Sequence, residues 1–128
     1  MAVQENERSA VITIGGKEYE LLLTTRATKE IAKKYGGLSR LGDELGKSEN
    51  FEQAIDEIVW LIALLANQTI LVHNFQHPNE QKELLTEETV ELLTTPSDFL
   101  AYKSAITECL VRGTKREVVS EEKNAVVG

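Results

Sequence analysis

The segment 51–76, FEQAIDEIVWLIALLANQTILVHNFQ, constrains this chain more than any other. Asn50 followed by Gln53 imitates a capping box at its start, and Pro78 stops it just beyond its end. At about 100° per residue, Phe51, Ile55, Ile58, Ile62, Leu65 and Val72 fall on one apolar stripe. Trp60, Leu64, Leu71 and Phe75 form a second stripe on nearly the opposite side, with Asp56, Asn67 and Asn74 as a narrow polar seam beside it. A helix apolar on two sides has to lie between layers. The expected layers are a hairpin with the first helices on one side and the C-terminal helices on the other. The second stripe then has two fates, internal core or contact with another protein chain. Trp60, Leu64, Leu71 and Phe75 are therefore the candidate partner-binding residues.

The flanking sequence supplies those layers. Residues 1–9 are polar and without period, and read as a disordered arm. AVITI, Gly15-Gly16 and KEYELLL then read as a β-hairpin over 10–23, because a tight primed turn needs positive φ. A two-residue loop pairs Ile14 with Lys17, Ile12 with Tyr19 and Ala10 with Leu21. A four-residue loop shifts the pairing and keeps the faces. Ile12, Tyr19 and Leu21 are expected inward, and Glu18 and Glu20 toward water, since burying unpaired carboxylates is expensive.

Helices are predicted over 26–35, 38–45, 51–76, 86–93 and 96–112. The first is capped by Thr24 or Thr25 and closed by Gly36-Gly37, and the second carries Leu38, Leu41 and Leu45. Thr86 with Glu87 and Glu88 opens the fourth. Thr95-Pro96-Ser97-Asp98 is the strongest start signal, with cap, proline and acid in order. Gly113 is read as the end of the last helix, and 115–128 as a flexible tail. The fold class is α+β, mainly α: an N-terminal hairpin followed by about five helices around one long central apolar helix, in a single globular domain over 10–114.

A chain of 128 residues supports one core. Lys plus Arg is 14 against 21 Asp plus Glu, a formal charge of −7, which disfavours nucleic acid and anionic lipid as partners. The longest purely apolar run, 58–66, is nine residues, where a membrane span needs about 20. MAVQENERSA lacks the basic start and apolar stretch of a signal peptide, so a cytoplasmic location is expected.

Candidate chemistry is sparse. His73 and His77, four apart in HNFQH, have the spacing of a helical zinc-ligand pair. The Glu that a zincin carries after the first His is replaced by Asn74, and no third ligand is evident beyond acids such as Glu80. Cys109 sits on the apolar face of the last helix and reads as a buried inert thiol. Gly15-Gly16-Lys17 lacks the GxxxxGK[ST] frame of a phosphate loop. Arg26, Lys29, Lys33 and Lys34 against Glu30 form the one clearly basic patch, which reads as a solvated helix face. No nucleophile, base and oxyanion set is present, so no enzymatic activity and no cofactor are expected.

The segment VITIGGKEYELLLTTRATKEIAKKYGGLSRLGDEL resembles the opening of small tail assembly chaperones of long-tailed bacteriophages, of the siphovirus and prophage type. The resembling features are the strand into Gly15-Gly16, then Lys17, Tyr19 and Leu21, and Thr25 before a short helix. Tyr35-Gly36-Gly37-Leu38, the Leu-rich stretch after it and the long apolar helix complete them. The resemblance covers roughly 10–75. It implies a non-enzymatic role: binding the aggregation-prone tape-measure protein during tail morphogenesis in the host cytoplasm, and absence from the finished virion. It also implies a longer product made by ribosomal frameshifting, whose added domain would recruit tail-tube protein. Self-association into a homo-oligomer around the client suits the surplus apolar helix surface. The competing reading is an acidic helical adaptor or regulator that binds another protein client. A remote third is an HxxxH metal-binding protein.

Overall fold

A computed structural model of the chain describes residues 9–38, 40–41 and 50–127. The order is β1 (Ser9–Ile14), β2 (Lys17–Leu22), α1 (Thr25–Tyr35), α2 (Phe51–Gln76), α3 (Glu87–Leu93), a 3-10 turn (Pro96–Asp98) and α4 (Phe99–Val127). The mainly helical class with an N-terminal antiparallel hairpin is as expected, with four α-helices among the described residues rather than five. The helix expected over 38–45 falls largely outside them. Within that stretch Leu41 is fully buried and Leu38 packs on the core. The expected disordered arm also lies outside them, apart from Ser9, which opens β1.

The hairpin forms with the two-residue loop. Ala10 pairs with Leu21, Ile12 with Tyr19 and Ile14 with Lys17. Gly15 and Gly16 hold φ of 58° and 81°, the left-handed pair that a primed turn requires. Ala10, Ile12, Ile14 and Leu21 are buried on one face, while Val11 and Glu18 are exposed on the other.

That buried face lies across two helices, β2 against α2 and β1 against α4. Ile58, Leu61, Ile62 and Leu65 of α2 meet Leu21, Ile31, Val90, Ile106 and Cys109 in one core. Two hydrogen bonds fix the edges: Thr69 Oγ1 donates to Glu20 O at 2.9 Å, and Tyr102 OH donates to Thr13 O at 2.8 Å. This corrects the expected layering. The C-terminal helix shares the hairpin with α2 and does not cover its opposite side, because β1 draws α4 to the same sheet face.

The first stripe is also revised at its ends. Ile58, Ile62 and Leu65 are core, but Phe51 is 69% exposed and Val72 lies at the surface. The hairpin is only six residues per strand, too short to cover a 26-residue helix end to end.

The last helix runs on through Gly113 to Val127, where a stop at Gly113 and a flexible tail over 115–128 were expected. One glycine in a helix interior costs only about 1 kcal/mol. Here it has a packing reason. A Cβ on Gly113 would stand 2.7 Å from Leu23 Cδ2 and 3.0 Å from Leu23 Cβ, so its absence lets α4 approach the end of the hairpin.

Among the described residues α2 is the one helix long and apolar enough to cross a membrane, with mean hydropathy 1.6 over its most apolar window. It carries no charged residue from Ile58 onward, which the strict nine-residue run understates. Half of that window, 50%, is buried inside the fold, and its polar side chains have partners there.

Candidate functional site

The second stripe of α2 forms the floor of a groove. The walls follow from two adjacent residues, Asn67 and Gln68, which point about 100° apart around the helix. Gln68 is buried and reaches α1, where it meets the Oγ1 of Thr24, the residue that caps that helix. Asn67 reaches the other way, to the 77–86 segment. Trp60, Leu64 and Leu71 lie between these two directions, and Phe75 continues the line toward the end of α2.

The 77–86 segment is a strap held along α2 by asparagine side chains. Asn67 Nδ2 donates to Leu85 O at 2.8 Å, and Leu85 N donates to Asn67 Oδ1 at 2.7 Å. Two helical turns later Asn74 repeats this with Lys82, Nδ2 to O at 3.0 Å and N to Oδ1 at 2.8 Å. Each primary amide thus presents one donor and one acceptor to the strap backbone, as a neighbouring β-strand would. Gln81 Nε2 donates back to Asn74 O at 3.0 Å. The strap satisfies its backbone through side chains, which is why a segment with no regular hydrogen-bond ladder holds one path.

Between α1 and the strap two adjoining clefts open. One, of about 480 Å³, is lined by Trp60, Leu64 and Leu71, with Arg26 and Glu30 of α1 on one side and Leu84, Leu85 and Glu87 on the other. The second, of about 440 Å³, shares Arg26, Gln68 and Leu71 and extends to Phe75 and Gln81. Trp60, Leu64 and Leu71 are half-buried and Phe75 is 89% exposed. Trp60 is fixed at one end by α1: its ring meets Tyr35 edge-on at 6.1 Å, and Lys34 Nζ stands 4.8 Å from its centroid. The groove is a preformed, mainly apolar trough with charge confined to its rims.

The other candidate residues are placed as follows. His73 and His77 stack at 4.5 Å. His73 Nε2 lies 2.9 Å from Glu80 O, and His77 Nδ1 lies 3.1 Å from His73 O. A carbonyl only accepts, so each of these nitrogens carries its proton and has no lone pair to offer a metal. No group of three His, Cys, Asp or Glu side chains is gathered for a metal among the described residues. Cys109 is fully buried, and burial pushes its thiol up to about 12. The Tyr102 hydroxyl is likewise raised, first by burial and then by Asp98. In the basic patch Lys33 pairs with Glu30 at 3.4 Å, while Arg26 overlooks both clefts.

The asparagine clamps were missed from the sequence, where Asn67 and Asn74 read only as a polar seam. The usable signal was two asparagines seven residues apart beside an apolar stripe, followed by a polar segment with no helix or strand period of its own. Comparison with protein-family models, with curated proteins and with solved structures finds no match to this chain.

Proposed function

We propose that this protein is a non-enzymatic tail assembly chaperone that holds an apolar helical segment of the tape-measure protein in the groove between α1 and the strap. The observation that carries this reading is the apolar floor itself. Trp60, Leu64, Leu71 and Phe75 line the two clefts from one helix, the first three half-buried and Phe75 89% exposed. A helix laid in a groove binds through side chains at such i, i+4 and i+7 spacings. The resemblance over 10–75 supplies the client. The acidic composition, −7 over 128 residues, suits a carrier that keeps an apolar client in solution.

The test is co-expression with the tape-measure protein of the same tail gene cluster. The expected result is a soluble complex that the double variant Leu71→Asp, Phe75→Asp does not form, although it remains folded by circular dichroism. A tape-measure protein that stays insoluble with the wild-type chain, or is rescued equally by the variant, overturns the proposal. A complex with a different client, lost in the same variant, would instead favour the adaptor reading.

A further inference from the structure

The two sets of elements that flank the groove differ in charge. On α1 the charged residues are Arg26, Lys29, Lys33 and Lys34, with Glu30 the single acid. On the strap and α3 they are Glu80, Glu83, Glu87, Glu88 and Glu91, with Lys82 the single base. Glu30 is engaged by Lys33, which leaves Arg26 as the cation that lines both clefts, facing Glu87 across the first. Within the first cleft the charged lining is Arg26 and Glu30 on the α1 side and Glu87 on the other, and the surplus of cations on α1 and of acids on the strap and α3 flanks it.

We infer that the groove selects an amphipathic helix whose apolar stripe is flanked by acidic residues on one side and basic residues on the other, and that this pairing fixes the direction in which the helix lies. The inference rests on the client-groove reading and adds the chemistry of the client to it. An apolar floor alone is indifferent to direction, since a leucine stripe looks much the same from either end. With an acid-flanked edge and a base-flanked edge, one direction places acids against Arg26 and Lys34 and bases against Glu87. The reverse direction places like charges along both walls. Complementary rims add to on-rate and orientation, and like-charge juxtaposition penalises the wrong pose. The opposite walls also explain how an acidic protein presents cations to a client: they are gathered on α1.

The probe is a displayed library of helical peptides about 20 residues long, with fixed leucines at i, i+3, i+4 and i+7 and both flanking edges randomised among Glu, Lys and Gln. It is selected in parallel on the wild-type chain and on Arg26→Glu, with Trp60 fluorescence of single selected peptides as readout. The chain has one tryptophan, and it lies in the groove floor. The expected pool from the wild type is acidic on one edge and basic on the other. Inverting the two edges of a selected peptide should weaken it at least tenfold, and Arg26→Glu should remove most of that difference. A wild-type pool with unbiased edges, whose peptides still shift Trp60 emission, overturns the charge inference and leaves the groove standing. A library that yields no peptide able to shift Trp60 emission overturns the groove and the inference together.

Discussion

Asn67 forms both of its amide hydrogen bonds with the backbone of a single residue, Leu85, at 2.8 and 2.7 Å. This one side chain fixes the strap against α2, because Leu85 is itself buried and anchors the strap in the core. It thereby sets how far the groove opens beside Leu64 and Leu71. Asn74 and Lys82 repeat the contact nearer the end of the helix.

Asn67→Ala should leave the Leu85 N–H and C=O without their partner. A part-buried backbone pair stripped in this way costs about 1–3 kcal/mol per group left unsatisfied, reduced where water enters. The expected loss in urea denaturation is about 2 kcal/mol, with faster amide exchange at Leu85 than at Leu61. Asn67→Asp should do nearly as much damage, since a carboxylate keeps the bond from Leu85 N but repels Leu85 O. Wild-type stability in both variants would show that the clamp does not hold the strap.

Gly113→Ala is expected to destabilise, against the ordinary gain of about 1 kcal/mol for this change in a helix. The new methyl would meet Leu23 at its Cβ as well as its Cδ2, so rotating the leucine tip does not clear it. Overpacking of this kind costs about 1–3 kcal/mol. A raised melting temperature for Gly113→Ala would mean that α4 does not approach the hairpin this closely.

Cys109 should resist thiol reagents in the native protein at pH 8 and react fully once urea unfolds it, because its thiol is buried and pushed up to about 12. The linkage has a definite sign. The folded pKa lies above the ordinary 9.0, so stability is fully present below pH 9 and is lost as pH climbs from there toward 12. One proton sets the slope at no more than about 1.4 kcal/mol per pH unit. Cys109→Ala should flatten the fall over that window. Stoichiometric labelling of the folded chain within minutes would refute the burial.

Phe75 and Leu61 sit on the same helix and should respond in opposite ways. Leu61 is fully buried, so Leu61→Ala should cost about 2–5 kcal/mol. Phe75 is 89% exposed, and Phe75→Ala should leave stability within about 0.5 kcal/mol while weakening client binding. A large stability loss for Phe75→Ala would place that ring in a core it does not occupy here.

Local signals carried much of this architecture. Gly15-Gly16 with alternating apolar strands specified the hairpin and its faces, the structure selects the two-residue loop, and Thr24, Asn50 and Thr86 each cap the helix they precede. The two stripes of α2 were legible because period 3.6 is strong over 26 residues. What covers each stripe was not legible, since periodicity records that a face is apolar and not which element meets it. That is why α4 was placed on the wrong side of α2. Gly113 misled for a related reason: a glycine that ends a helix and one that admits Leu23 are identical in sequence. The path of the strap was not legible, because its order comes from Asn67 and Asn74, 18 and 8 residues away from the backbone groups they bind. Arg26 looked like part of a solvated basic face, and its place over both clefts emerges only when α1 packs beside Leu71.

For the proposed chaperone role, site-specific photo-cross-linking in cells assembling tails bears most directly on whether the groove is the client's site. A benzophenone amino acid would replace Phe75 in one variant and Leu100 in another; both positions are highly exposed, and only Phe75 lines the groove. The expected outcome is an adduct with the tape-measure protein from position 75 and none from position 100. Adducts from position 100 with none from position 75, or no tape-measure adduct from either, would contradict the proposal that the groove holds this client.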